Sequence, residues 1–105
     1  MGLLASPAIK SMNRLADEIG SLYGQCALGM LSEADVADIL GSEQRRRELR
    51  EAVRSVSIEV GDDKAKKMAI KAARKGAAPW VRTTQANMTY CYDEAEAAAR
   101  SLLEF

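Results

Sequence analysis

Two amphipathic segments, one near each end of the chain, constrain the fold most. In the first, apolar or small residues recur at alternating spacings of three and four, at Ile9, Met12, Ala16, Ile19, Tyr23, Cys26 and Met30. In the last, the same spacing joins Met88, Cys91, Ala95, Ala98, Leu102 and Phe105. Residues three and four apart lie on one face of an α-helix. Each segment therefore predicts a helix with one apolar seam.

Capping and breaking residues divide the remaining chain. Ser6 before Pro7 is typical of a helix start, and Ser32 with Asp35 resembles a capping box. Together with Ser42 and several glycines, these signals predict the helices. The first begins at residue 7 and follows the first seam, the next three cover 34–40, 43–57 and 64–75, and the last runs from Thr83 or Thr84 to the C-terminus. The segment 56–60 alternates as a strand would, but it has no convincing strand to pair with.

The predicted architecture is all-α, an antiparallel bundle of four to five helices in a single domain, 1–105. Strand-forming residues are sparse, which favours helix throughout. The two terminal seams are expected to pack together. The two seams offer more apolar surface than a single thin, alanine-rich monomer is expected to bury. We therefore also expect a homodimer, in which a second copy covers the remaining surface.

Several classes of chemistry are disfavoured by what the sequence lacks. The chain contains no histidine, which removes histidine-dependent nucleophilic systems and most zinc sites, and it has no glycine-rich phosphate loop. We therefore expect no enzyme activity, no metal and no cofactor. Cys26 and Cys91 are expected to be small buried residues, with a bridge between the first and last helices as the alternative.

The charges form three blocks, although the formal net charge is zero. Residues 1–43 carry two basic and six acidic side chains, residues 44–82 carry twelve and five, and residues 83–105 carry one and four. The basic block suggests contacts with nucleic-acid phosphates. The residues assigned to that function are Arg46, Arg47, Arg50, Arg54, Lys67, Lys71 and Arg74. The alternative is a solvated face, or one that pairs with the acidic termini.

The leading functional hypothesis is a regulatory or adaptor protein that binds and modulates a protein partner, for example by inhibiting a transcription factor or an enzyme. A lone tryptophan, Trp80, would anchor such a contact together with Ile19, Tyr23 and Leu102. The alternative for Trp80 is that it closes the end of a small core. Nucleic-acid binding through the basic block is the second hypothesis.

No apolar run approaches the length of a membrane span, and the N-terminus lacks the features of a signal peptide. We therefore expect a cytoplasmic protein that does not bind membranes.

Overall fold

The computed structural model describes residues 6–81 and 88–103, and all regular structure in these ranges is helical. The helices are α1 Pro7–Ala27, α2 Glu33–Leu40, α3 Glu43–Val60, α4 Asp62–Gly76 and α6 Met88–Leu103, with one helical turn, α5 Ala78–Val81, between α4 and α6. The predicted all-α fold is confirmed.

Serine side chains begin three helices at the predicted places. The Ser6 hydroxyl accepts a hydrogen bond from the Ile9 amide at 3.1 Å, with Pro7 in the first turn. Ser32 and Asp35 form a complete capping box, in which each side chain accepts from the other residue's amide. Ser42 caps α3 in the same way as Ser6 caps α1. These bonds satisfy amide groups that have no partner inside the helix, so the local sequence fixes where each helix starts.

The end of the third helix differs from the prediction. The third helix continues to Val60, so the strand alternative for 56–60 is wrong. Val56 and Val60 are one turn apart on the inner side of α3, whereas Ile58 is 85% exposed. The apolar residues at every second position in 56–60 thus lie on different sides of a helix. The predicted start of the last helix at Thr83 or Thr84 lies outside the described residues.

Neighbouring long helices run antiparallel. Along α1 and α3, Glu18 in the middle of α1 pairs with Arg45 near the start of α3, whereas Ser6 before α1 donates to Glu59 near the end of α3. Along α4 and α6, Arg74 pairs with Asp93, while Lys66 and Leu103 line the same small groove. The long helices therefore alternate in direction along the chain, with α1 and α4 running one way and α3 and α6 the other, as in the predicted bundle.

The first and third of these long helices, α1 and α4, make the most extensive contact although they run in the same direction. Small residues allow it. Gly20 of α1 lies directly on the backbone of α4 at Ala73, and Gly76 lies on the backbone of α1 at Asp17. Such close approach across the diagonal of the bundle flattens the molecule to 19 Å in its thinnest direction. The absence of a side chain at Gly20 thus permits the close packing of the two helices.

Both predicted seams contribute to the core of one chain. The buried seam residues are Met12, Ala16, Ile19, Cys91, Ala95 and Leu102. The first seam was predicted to continue to Met30, but α1 ends at Ala27 and the Met30 side chain is 59% exposed. A single chain thus buries most of the apolar surface that suggested a dimer. The dimer itself stays a prediction.

Candidate functional site

Two of the four residues predicted to bind a protein partner lie inside the molecule. Ile19 is 1% exposed and Leu102 is 5% exposed, and both belong to the main core. A partner that contacts the folded chain cannot reach their side chains in this arrangement. Tyr23 and Trp80 are only half-buried and remain accessible. The structure therefore brings two of the predicted residues to the surface and places the other two beneath it.

Trp80 packs against α1 at Gly24. Its Cγ lies 2.7 Å from the point that a Cβ atom on Gly24 would occupy, so the indole uses the space left by the missing side chain. This contact joins the turn α5 to α1. Trp80 is half-buried in this position, and both roles predicted for it stay predictions.

Two apolar residues were not predicted to be exposed. Leu28 is 41% exposed and Met30 is 59% exposed, in the turn that follows α1. This turn is a Schellman motif: the Met30 amide donates to the Gln25 carbonyl, the Gly29 amide donates to the Cys26 carbonyl, and Gly29 has a φ of 79°. The glycine at position 29 was the signal that could have revealed it.

The Schellman motif explains why Met30 is exposed. In this motif, the residue directly after the glycine usually packs against an apolar side chain in the last turns of the helix. Here the corresponding residues are Gln25, which is polar, and Gly24, which has no side chain and is covered by Trp80. The chain offers Met30 no apolar partner at these positions. We refer to Tyr23, Leu28, Met30 and Trp80 as the apolar end.

Carboxylates lie close to the apolar end. The pKa of the Tyr23 phenol is raised above its usual value, first by burial and then by the negative charges of Glu94, Cys26 and Glu33. The pKa of the Cys26 thiol is raised in the same way, first by burial and then by Glu33. Glu33 and Glu94 are therefore near enough to this end of α1 to add to the effect of burial.

The predicted basic residues do not form one surface. Arg46, Arg47, Arg50 and Arg54, which we call the arginine row, line a shallow groove of about 630 Å³ along α3. Lys71 instead lines a groove between α1 and α4, together with Asn13 and Asp17. The two grooves share no lining residue: the first is formed by α3 and Gly41, the second by α1 and α4.

Some of the basic side chains hold the bundle together. The Arg50 Nε donates to the Leu102 carbonyl at 2.9 Å, near the C-terminal end of α6. Arg74 pairs with Asp93 at 3.4 Å and Glu96 at 3.3 Å, and it stacks 4.9 Å from the centre of the Tyr92 ring. The predicted pairing of the basic block with the acidic termini is thus observed at Arg74, and also at Arg45 with Glu18.

The remaining basic side chains of the prediction are exposed. Within the described ranges, Arg46, Arg54, Lys67 and Lys71 form no ion pair, and Arg47 has only a long one, 3.8 Å to Glu43. Lys66, which the sequence analysis did not select, lines a second groove of about 150 Å³ with Arg50 and Arg54. Glu43, Glu51 and Asp62 also line these grooves, so their charge is mixed.

Both cysteines are free. The buried Cys91 thiol donates to the Tyr23 carbonyl at 3.7 Å, across the contact between α6 and α1. In the described part of the chain, no group of three or more histidine, cysteine, aspartate or glutamate side chains could hold a metal ion. No helix in those residues has the length and apolar composition that a membrane span requires.

No protein-family model matches the chain, and no curated protein and no solved structure matches it.

Proposed function

We propose that this protein is a non-enzymatic regulatory or adaptor protein, which binds a protein partner and modulates it, for example by inhibiting an enzyme or a transcription factor. The observation that carries the proposal is the apolar end. Leu28 and Met30 are exposed within about one helical turn of Gly24, on which Trp80 packs. Clustered exposed apolar side chains with an aromatic anchor are typical of protein interfaces.

Within this proposal, the buried residues have a supporting part. Ile19 and Leu102 keep α1 and α6 in place, while Tyr23 and Trp80 offer accessible edges to the partner. A partner that covered Met30 would remove an apolar surface from water, and this burial favours binding by about 25 cal/mol per Å² before the costs of association are subtracted.

The test is affinity capture of the partner with surface variants. Met30→Lys places a charge on the apolar end without touching the core, and we expect it to weaken partner binding at least about tenfold, as loss of a hot-spot residue does. Ile58→Lys is the matched control because Ile58 is also exposed but lies in α3, near its C-terminal end. Capture that survives nuclease treatment and is lost only with Met30→Lys supports the proposal. Equal capture by both variants and the unmodified protein would rule it out.

A second candidate function, binding of nucleic acid, is favoured by the arginine row. Residues 46, 50 and 54 follow one another at one-turn intervals on α3, so positive charges repeat about every 6 Å. Lys66 extends this surface onto α4. Contacts of this kind would bind the phosphate backbone and would not read base sequence.

Salt and charge reversal test this second candidate. If three to four phosphates are contacted, affinity for duplex DNA or RNA should fall about 40- to 150-fold between roughly 50 and 200 mM salt. Arg54→Glu should weaken binding further, whereas Lys75→Glu, which lies in the groove that faces α1, should not. If Arg54→Glu leaves the affinity unchanged, the arginine row does not bind nucleic acid. For both candidates the proposed setting is the cytoplasm, where free thiols persist.

A further inference from the structure

The stretch of chain that carries Tyr23, Leu28 and Met30, three of the four residues of the apolar end, has charge of one sign only. Between Arg14 and Arg45 there is no lysine or arginine, whereas six carboxylates occur in that stretch. They are Asp17, Glu18, Glu33, Asp35, Asp38 and Glu43. α2, which begins three residues after Met30, carries three of them, and all three are exposed. The surface next to Leu28 and Met30 is therefore acidic.

The carboxylates approach the apolar end from two helices. Glu33 begins α2 directly after the exposed turn, while Glu94 lies on α6 one turn after Cys91, which donates to the Tyr23 carbonyl. Burial is the main cause of the raised pKa of the Tyr23 phenol, and both carboxylates add to it. An occupant of the apolar end must accordingly tolerate, or use, a negative potential on its border.

We infer that the apolar end docks a basic amphipathic helix of the protein partner, an inference that rests on the adaptor function proposed above. Apolar side chains of that helix contact Leu28, Met30 and Trp80, and its lysines or arginines lie against the carboxylates of α2 and Glu94. A helix can make the apolar and the charged contacts together, because its residues at i, i+3, i+4 and i+7 form an apolar face with basic residues on either side.

The same charges disfavour other occupants. Nucleic acid and anionic lipid are both negative, so they are repelled by the acidic border. A second copy of this chain would bring like charges together if the two apolar ends met face to face. A basic helix alone gains from the apolar contact and from the carboxylates.

Trp80 provides a direct signal for the test because it is the only tryptophan in the chain. The probe is a synthetic leucine/lysine peptide of about 18 residues without tryptophan, patterned as an amphipathic helix. The control peptide has the same leucines with glutamate in place of lysine. Titration of the full chain should change Trp80 emission with the lysine peptide and give saturable binding, which weakens when salt is raised. The glutamate peptide should bind at least about tenfold more weakly.

Surface variants then locate the binding. Met30→Lys and, separately, Leu28→Lys should weaken binding of the lysine peptide at least about tenfold, as expected for residues at the centre of a contact. Ile58→Lys should change it less than twofold, because Ile58 is also apolar and exposed but lies outside the apolar end. Asp38→Lys should also weaken it, through loss of a border charge. Circular dichroism checks that each variant keeps its helix content.

Several outcomes would overturn the inference. Equal binding of the two peptides would show that charge does not select the partner, and the adaptor function would survive with a different partner. Absence of binding, or equal effects of Ile58→Lys and Met30→Lys, would show that the apolar end does not receive a basic helix. A dimer that dissociates in Met30→Lys would assign this surface to a second copy. The adaptor function fails separately, when Met30→Lys leaves capture of the natural partner unchanged.

Discussion

Gly20 lies where the backbones of α1 and α4 touch, and its lack of a side chain decides how close the two helices come. A methyl group there would overlap with the Ala73 carbonyl oxygen and the Ala77 amide nitrogen. These are backbone atoms, so no side chain can rotate to make room. The local preference of helices for alanine over glycine, about 1 kcal/mol, acts in the opposite direction.

We therefore expect Gly20→Ala to lower the free energy of unfolding by about 2 kcal/mol or more, in spite of its better helix propensity. Urea unfolding followed by circular dichroism measures the change. Ser11→Ala, at an exposed position of the same helix, is the control and should be neutral or slightly stabilising. If both variants were equally stable, α1 and α4 would not be in close backbone contact.

The two cysteines differ in access but share a direction of pKa change. Burial raises the pKa of both thiols, with Glu33 adding to the effect at Cys26 and Cys26 adding to it at Cys91. A raised pKa lowers the fraction of thiolate, the reactive form, at any pH below it. Cys91 is fully buried, whereas Cys26 is only half-buried.

In the native protein at neutral pH, iodoacetamide should modify Cys26 more slowly than an unstructured cysteine peptide, and the rate should rise as the pH is raised. Cys91 should react only after denaturation. Peptide mass spectrometry of timed samples follows both sites. Modification of Cys91 as fast as Cys26 in the folded state would contradict the burial described here.

At the scale of elements, α6 is attached to the bundle by charge as well as by apolar packing. Arg74 of α4 contacts Asp93 and Glu96, and Arg50 of α3 binds the Leu102 carbonyl near the negative end of the α6 dipole. The side chains of Arg74 and Glu96 are 42% and 31% exposed, so water screens their attraction in part.

A double-mutant cycle between Arg74 and Glu96 should give a coupling free energy of about 0.5–1 kcal/mol, reduced by high salt. The reference cycle uses Arg47 and Glu43, whose side chains are 65% and 88% exposed at 3.8 Å, and it should give roughly 0.3 kcal/mol or less. Urea unfolding of the four proteins in each cycle provides the values. Equal coupling in the two cycles would mean that the pair between α4 and α6 adds nothing beyond a solvated contact.

At the scale of the whole molecule, the chain combines a core closed on itself with two surfaces of opposite charge. The acidic surface borders the apolar end, whereas the arginine row lies along α3. Because Met12, Ala16, Ile19, Cys91, Ala95 and Leu102 of the two seams are buried in one chain, a dimer would need other apolar surface. The described residues offer mainly Leu28, Met30 and Ile58.

The predicted dimer is tested by sedimentation equilibrium at micromolar concentration. A dimer would have twice the chain mass of 11.4 kDa and should dissociate on dilution. A stable, folded species of 11.4 kDa over the same range would refute the dimer.

The sequence by itself determined the helices. Ser6, Ser32 and Ser42 placed three helix starts correctly, because capping bonds join residues only three apart and depend little on the rest of the chain. Apolar spacing also identified the inner faces of α1 and α6. The alternating segment 56–60 was ambiguous because short apolar runs fit both periods.

Only the tertiary structure decided which residues of a face are accessible. Ile19 and Met30 belong to the same predicted seam, yet Ile19 is buried by neighbouring helices and Met30 lies beyond the end of α1. Likewise, Arg74 is paired because α6 lies next to α4, while Arg54 is not. Periodicity describes one helix at a time. The partner that each face meets depends on helix directions and on the close contact at Gly20, which are set by the packing of the whole chain.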